Sequence, residues 1–133
     1  MITMLPDSAR KLLEGKNFLY IATINRDGTP QVTPVWVDTD GKFVFVNTAI
    51  GRVKQKNTKR NPEVAMAIYD QADPYNFIQI RGRVVDQIAG PSAEEHIDKM
   101  SKKYKGVEKY SSRRPGEKRV ILKIKPTRVS SWR

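Results

Sequence analysis

Cysteine is absent from this chain of 133 residues, and histidine occurs once, as His96. The absence of cysteine excludes disulfide bonds, thiol chemistry and thiolate metal sites. A single imidazole gives little support to a zinc site or to a Ser-His-Asp triad. Metal-dependent and triad-based hydrolytic functions are therefore weakly supported by the composition.

The chain also lacks a long apolar run. No segment is long enough to span a bilayer, and the first residues, MITMLPDSARKLLEGK, lack the apolar centre of a signal peptide. We therefore expect a cytoplasmic protein without a membrane partner. No linker or internal repeat divides the sequence, so we expect one domain over residues 1–133.

Acidic residues are few: 14 carboxylates face 25 lysines and arginines, which gives a net charge of +11. Such an excess of positive charge indicates an acidic partner. The candidates are nucleic acid, an anionic membrane surface, and a phosphorylated or polycarboxylate ligand. The imbalance is strongest in NTAIGRVKQKNTKRNP, residues 47–62, which has no acidic residue. Its five cations are Arg52, Lys54, Lys56, Lys59 and Arg60.

Segments rich in β-branched and aromatic residues occupy most of the chain and alternate with turn signals. Two Asp-Gly turns predict two successive hairpins in an antiparallel meander. Helical patterns cover residues 5–15, 52–60 and 92–106. The resulting order has six strands and predicts a mainly β fold, a closed or nearly closed antiparallel barrel with flanking helices.

The cationic segment has the setting of an anion site. Pro62 ends a helix that begins near Gly51, directly after a strand. The N-terminus of a helix offers unpaired N–H groups and partial positive charge to a phosphate. Further donors and charges would come from Asn47, Thr48, Arg52 and Lys54. The alternative is a solvated basic helix, but the absence of any acidic residue favours the anion site.

A second feature is Pro34, in the middle of the strand-like segment PQVTPVWVD. Proline cannot donate a hydrogen bond to a strand ladder, so this strand is expected at an edge or with a bulge. Its free backbone groups could hydrogen-bond a flat heterocycle. The alternative is an ordinary edge strand that proline protects from pairing.

Together these segments resemble a known family. LYIATINRDGTPQVTPVWV, FVFVNTAIGRVKQKNTKRNPEVAMAI and IQIRGRVV, in this order, are similar to the pyridoxamine-phosphate-oxidase-like FMN-binding split-barrel flavoproteins. The likeness is greatest to the class that uses the deazaflavin coenzyme F420. It implies a six-stranded split barrel, a homodimer with cofactor sites at its interface, and an oxidoreductase that transfers a hydride to or from a small organic substrate.

The resemblance also implies roles for particular residues. The cofactor ring would be bordered by Val32, Thr33, Pro34 and Val35. The ribityl chain and phosphate would lie near Asn47, Thr48, Arg52, Lys54 and Asn57. The oligoglutamate tail of coenzyme F420 would run toward Lys56, Lys59 and Arg60, with Arg81 and Arg83 as further cations. Trp132, in the last segment, would be another cofactor contact.

The sequence departs from true pyridoxamine-phosphate oxidases, because their arginine-rich R-x-x-L-L-K strand and their C-terminal arginine-histidine motif are missing. Oxidation of pyridoxamine phosphate is therefore not expected, and no catalytic acid or base is identified. One alternative is an FMN-dependent oxidoreductase or an FMN-binding protein of the same fold. Another is a basic barrel that binds nucleic acid, but the aromatic residues alternate as core residues do and form no stacking platform.

Overall fold

The computed structural model describes residues 4–131, which form three helices and seven strands. The helices are α1 (Asp7–Glu14), α2 (Val53–Arg60) and α3 (Pro91–Lys105). The strands are β1 (Leu19–Ile24), β2 (Pro30–Val35), β3 (Asp38–Thr39), β4 (Val44–Ala49), β5 (Glu63–Asp70), β6 (Asp73–Ala89) and β7 (Arg119–Ser131). Trp132 lies outside the described residues, so its role as a cofactor contact stays a prediction.

All seven strands form one curled antiparallel sheet with the order β2-β1-β5-β6-β7-β4-β3. The sheet makes a half-barrel flanked by three helices, and this confirms the predicted split-barrel architecture. The predicted strand count of six is wrong, since the structure has seven strands. No helix within residues 4–131 is both long and apolar enough to cross a membrane.

The additional strand arises because the segment PQVTPVWVD is broken after Val35, and its two parts lie at opposite edges of the sheet. At the break, Val37 is completely buried, and its N–H donates to the hydroxyl of Tyr104 at 3.1 Å. The carbonyl of Val37 accepts from Nζ of Lys103 at 2.8 Å. Side chains of α3 thus replace strand partners. The predicted second hairpin forms across Asp40-Gly41, but its first strand is only the short β3 and not the whole of PQVTPVWVD.

Pro34 has the predicted edge position. Strand β2 begins the sheet order and pairs with β1, with Pro34 opposite Tyr20. Within the described residues β2 has no second neighbour, and an edge strand is where a sheet tolerates proline.

The core lies inside the curl of the sheet and follows the two-residue alternation of its strands. Leu19 and Ile21 of β1 are buried, and equivalent alternating residues of the other strands pack against them. Helix α1 covers this core with Ala9, Leu12 and Leu13. The cationic helix α2 buries the polar residues Gln55, Asn57 and Thr58 instead, and its solvent side carries lysines.

Candidate functional site

The main candidate site is a cavity of about 500 Å³ between β2, β4 and the start of α2 on one side and α3 with the following segment on the other. Six residues predicted from the sequence line it together: Pro34, Val35, Asn47, Thr48, Arg52 and Lys54. The structure therefore brings the proline-containing edge strand and the cationic segment to one place, although they are separate in the sequence.

Other predicted residues lie away from this cavity. Val32 is 63% exposed and lines a separate depression beside Ala65. Thr33 follows on the same strand, and its hydroxyl is buried without a hydrogen-bond partner among residues 4–131. Lys56 is exposed on α2 and does not line the cavity.

Asn57 has a role in the fold. Its side-chain amide is buried and donates to Oγ1 of Thr23 at 3.0 Å and to Oδ1 of Asn25 at 2.9 Å. Its own Oδ1 accepts from Arg60 at 2.8 Å. These bonds attach α2 to β1, and they direct the Asn57 side chain toward β1 and away from the cavity.

The first turn of α2 opens onto the cavity without a side-chain cap. Arg52 occupies the N-cap position and makes no capping hydrogen bond, and the turn contains no acidic residue. Gln55 reaches back and accepts from the N–H of Gly51 at 2.9 Å. The first N–H groups of a helix have no carbonyl partner in the helix, so this turn offers donors to a ligand.

Thr48 supplies an unpaired hydroxyl at the same place. The residue is only 2% exposed and lines the cavity, and its Oγ1 has no hydrogen-bond partner within residues 4–131. Burying a hydroxyl without a partner costs free energy, and native proteins rarely leave one unsatisfied. A ligand in the cavity would provide the missing partner.

Lys54 is the unbalanced charge of the site. Burial lowers the pKa of its ammonium, and the nearby cations Arg52 and Arg119 lower it further. In the described part of the chain no carboxylate lies within ion-pair distance of Lys54. An anion in the cavity would oppose both effects on the pKa of Lys54, because its negative charge would stabilise the protonated, partly buried ammonium.

The acidic partner of Arg52 comes from a distant part of the chain. Glu117 accepts from Arg52 at 3.1 Å and from Arg119 at 2.8 Å. Burial opposes the ionisation of Glu117, but hydrogen bonds from the Arg114 N–H and from Arg119 outweigh it and lower the pKa of this carboxyl. One carboxylate therefore stands against three cations at this end of the cavity.

Comparison with known proteins agrees with this architecture. The sequence profile of one family, described as pyridoxamine 5'-phosphate oxidase, matches residues 5–133. The chain belongs to this family. One solved structure, titled F420 reductase, is 32% identical with a TM-score of 0.82, and the match covers 95% of this chain and 98% of that chain.

More distant structures share the fold alone. A conserved hypothetical protein from Mycobacterium tuberculosis is 20% identical with a TM-score of 0.70, covering 97% of this chain and 86% of that one. General stress protein 26 from Bacillus anthracis is 16% identical with a TM-score of 0.69, covering 92% and 89% respectively. A comparison with curated proteins found no match.

Two parts of the site in this member of the pyridoxamine 5'-phosphate oxidase family were not predicted. The first is Arg119, which is only 3% exposed and lines the cavity. Nothing in its local sequence distinguishes it from the other arginines. The pairing of β4 with β7, which sets Arg119 opposite Ala49, brings it beside Thr48.

The second is a group of aromatic residues. Trp36 stacks on Tyr104 with ring centres 5.4 Å apart, and the ring of Tyr110 meets Trp36 edge-on at 6.0 Å. Trp36 and Tyr110 line the cavity together with Phe18 and Tyr20. The segment after α3 thus contributes one wall of the site.

Asp98 of α3 holds that segment in place. Its carboxylate accepts from the N–H of Tyr110 at 2.8 Å and from Arg113 at 2.9 Å. Arg113 also donates to Oε1 of Glu94 at 3.3 Å. The segment is therefore attached to α3 by hydrogen bonds on both sides of Ser112, which also lines the cavity.

Proposed function

We propose that this protein is an oxidoreductase that binds a flavin-type cofactor in the cavity, coenzyme F420 in preference to FMN. The observation that carries the proposal is the unused binding capacity at the start of α2. Among residues 4–131, Thr48 has a buried hydroxyl without a partner, and Lys54 has a partly buried ammonium without a carboxylate. Both border an uncapped helix N-terminus.

The donor set fits a phosphate. Thr48, Lys54 and the first N–H groups of α2 would hold it, and Arg52 would add a charge. Arg119 would contribute from the opposite strand, where it is fixed by Glu117 and Asn47. The flavin or deazaflavin ring, when bound, supplies the hydride chemistry.

The chain's own contribution is binding, orientation and exclusion of water. Pro34 and Val35 border the cavity on the edge strand, whose outer side has no neighbouring strand among residues 4–131. Trp36 and Tyr110 form an apolar wall that restricts access of water. Tyr104 is unsuited to donate a proton, because burial raises the pKa of its hydroxyl to about 12, and the hydroxyl donates to the carbonyl of Asn17.

The preference for coenzyme F420 is supported by the 32% identity to the structure titled F420 reductase. The tail of this cofactor carries several carboxylates, and Lys56 and Lys59 are exposed on α2 beyond the cavity. Two of the cations expected near the tail, Arg60 and Arg83, have partners within the chain. Arg60 donates to the carbonyl of Ile24 at 3.1 Å, and Arg83 forms an ion pair with Glu63. The tail contacts are therefore assigned to Lys56 and Lys59.

We also propose a homodimer. Val32 and Tyr20 are exposed large side chains, and they line a depression together with Ala22, Ala65 and Arg81. This apolar patch lies beside the cavity, since Tyr20 lines both. A second copy of the chain would cover the patch and close one side of the cavity.

The experiment compares the affinities of coenzyme F420 and FMN for the wild-type protein and for a variant with Lys56→Ala and Lys59→Ala. The variant should bind coenzyme F420 more weakly, with a difference that shrinks at high salt, and should bind FMN unchanged. Lys11→Ala with Lys16→Ala removes the same charge from exposed positions at α1 and serves as the control. Equal loss of both ligands would refute the tail contacts, and failure of the wild type to bind either cofactor would refute the function.

A further inference from the structure

The side-chain amide of Asn47, at the wall of the cavity, is held by three partners. Its Oδ1 accepts from Nε of Arg119 at 2.9 Å, and its Nδ2 donates to the carbonyl of Ala93 at 2.9 Å. Because Nε of arginine can only donate and a carbonyl can only accept, these two bonds determine which way the amide points. The third partner is Nδ1 of His96, 3.1 Å from Nδ2 of Asn47.

This arrangement determines the tautomer of His96. Nδ2 of Asn47 is a donor, so Nδ1 of His96 must be an acceptor and carries no proton. In a neutral ring the proton is then on Nε2, which lies 3.2 Å from Oδ2 of Asp38.

Asp38 is a suitable acceptor for that proton. Burial opposes its ionisation, but hydrogen bonds and charge from His96 and Lys99 outweigh burial and lower the pKa of the carboxyl to about 2. Asp38 is therefore a carboxylate at neutral pH. The chain of contacts runs from Asp38 through His96 and Asn47 to Arg119, and it connects the short edge strand β3 with the cationic end of the cavity.

We propose that His96, as its neutral Nε2–H tautomer, is a positioning residue that orients Asn47 and, through it, Arg119 at the wall of the cavity. The effect on ligand binding rests on the proposed function. Without the ring, Asn47 loses one of the three partners that hold its side chain, although Arg119 and Ala93 still set the direction of its amide. The hydrogen bond from Nε of Arg119 to Asn47, which helps to hold the guanidinium at the cavity wall, would then be less firmly aligned.

The first test needs no ligand. Because His96 is the only histidine, ¹⁵N labelling of histidine gives the resonances of a single ring. At neutral pH, two-bond ¹H–¹⁵N spectra should show the Nε2–H tautomer, with Nδ1 at the shift of an unprotonated nitrogen. A ring protonated at Nδ1, or rapid averaging between tautomers, would overturn the proposal.

The second test is a double-mutant cycle on FMN affinity with His96→Leu and Asn47→Ala. Loss of one neutral hydrogen bond predicts about two- to tenfold weaker binding for His96→Leu. In the Asn47→Ala background His96→Leu should have no further effect, because His96 acts through Asn47. Additive effects would overturn the proposal.

His96→Asn supplies the control for a general loss of structure. Its amide oxygen can accept from Asn47 in place of Nδ1, so FMN affinity should return toward the wild-type value. Weakening equal to that of His96→Leu would contradict the positioning role. If the wild type binds neither cofactor, the proposed function fails. The NMR measurement of the His96 tautomer then remains as the test of the contact between His96 and Asn47.

Discussion

At the scale of single residues, the site is defined by groups whose binding capacity is unused within the chain. The hydroxyl of Thr48 has no partner among the described residues, and the ammonium of Lys54 has no carboxylate there. Arg52 is a less direct probe of the phosphate, since it also pairs with Glu117. Its removal would leave that carboxylate near the ligand, so Thr48 and Lys54 are the better positions for mutation.

Replacing Thr48 with valine should separate stability from binding. Valine has nearly the same shape and removes a hydroxyl that is already unsatisfied, so the free energy of unfolding should stay equal or rise slightly. The affinity for FMN should fall by about two- to tenfold, the range expected for one hydrogen bond. Urea denaturation and equilibrium titration measure the two effects. A destabilised variant with unchanged affinity would show that the hydroxyl serves the fold.

Lys54 predicts a pH dependence. Its pKa is lowered in the free protein, and a bound anion should raise it again. The complex then holds more protons than the free protein in the alkaline range that starts at the lowered pKa, so affinity should fall as pH rises through that range. Lys54→Met should flatten this dependence in titrations at several pH values. Identical pH profiles for the two proteins would contradict an anion beside Lys54.

Four of the six predicted cavity residues lie near each other in the sequence. Asn47 and Thr48 lie at the end of β4, and Arg52 and Lys54 lie at the start of α2, so their proximity needs no long-range information. Glu117 lies far along the chain, and only the pairing of β4 with β7 brings its neighbourhood to the site. Local pattern carries no information about such pairing.

At the scale of helices and strands, the close contact between β6 and β7 depends on a glycine. A Cβ added to Gly82 would lie 2.7 Å from Cγ2 of Ile124 and 3.0 Å from the carbonyl oxygen of Lys125. The ladder between the two strands also shifts register at this point. Gly82, in the segment IQIRGRVV, therefore serves the packing of these two strands.

Gly82→Ala should destabilise the protein by about 1–3 kcal/mol, the usual cost of overpacking a core. Gly28→Ala is a useful comparison, because the space around Gly28 is open. The loss of stability in that variant comes only from placing alanine at a positive φ of 88°. Urea denaturation of both variants gives the two costs. If Gly82→Ala has the same free energy of unfolding as the wild type, β6 and β7 can move apart at this point without loss of stability.

The sequence predicted most elements but missed the break between β2 and β3. Strand propensity continues through Trp36 and Val37, so local pattern favours one strand. The break is stabilised by Lys103 and Tyr104, whose hydrogen bonds to the Val37 backbone come from a helix much later in the chain. Tertiary contacts with α3 therefore override the local strand propensity between β2 and β3.

At the scale of the whole molecule, the exposed patch around Val32 predicts self-association. Val32→Asp places a charge in the proposed interface and should shift a dimer toward monomer at micromolar concentration. Val107 is 45% exposed, compared with 63% for Val32, and lies outside the patch. Val107→Asp should therefore leave the assembly unchanged. Light scattering measures the mass of each protein. A monomeric wild type, with cofactor present, would refute the interface.

The net charge of +11 complicates any test of binding, since a basic protein attracts anions without a specific site. A control must therefore change the overall charge by the same amount at a position outside the site. Lys54→Met and Lys11→Met each remove one positive charge, but only Lys54 lines the cavity. The difference in ligand affinity between these two variants isolates the contribution of the cavity.

Equilibrium titration with FMN and with riboflavin, which lacks the phosphate, tests most directly whether the start of α2 binds the phosphate of the cofactor. Wild type and Lys11→Met should both bind FMN roughly tenfold or more tightly than riboflavin, as a charge-assisted hydrogen bond predicts. Lys54→Met should lose part of this difference, because Thr48, Arg52 and the first N–H groups of α2 remain, while its riboflavin affinity stays the same. Equal affinities of the wild type for the two ligands, or an undiminished difference in Lys54→Met, would contradict phosphate binding at the start of α2.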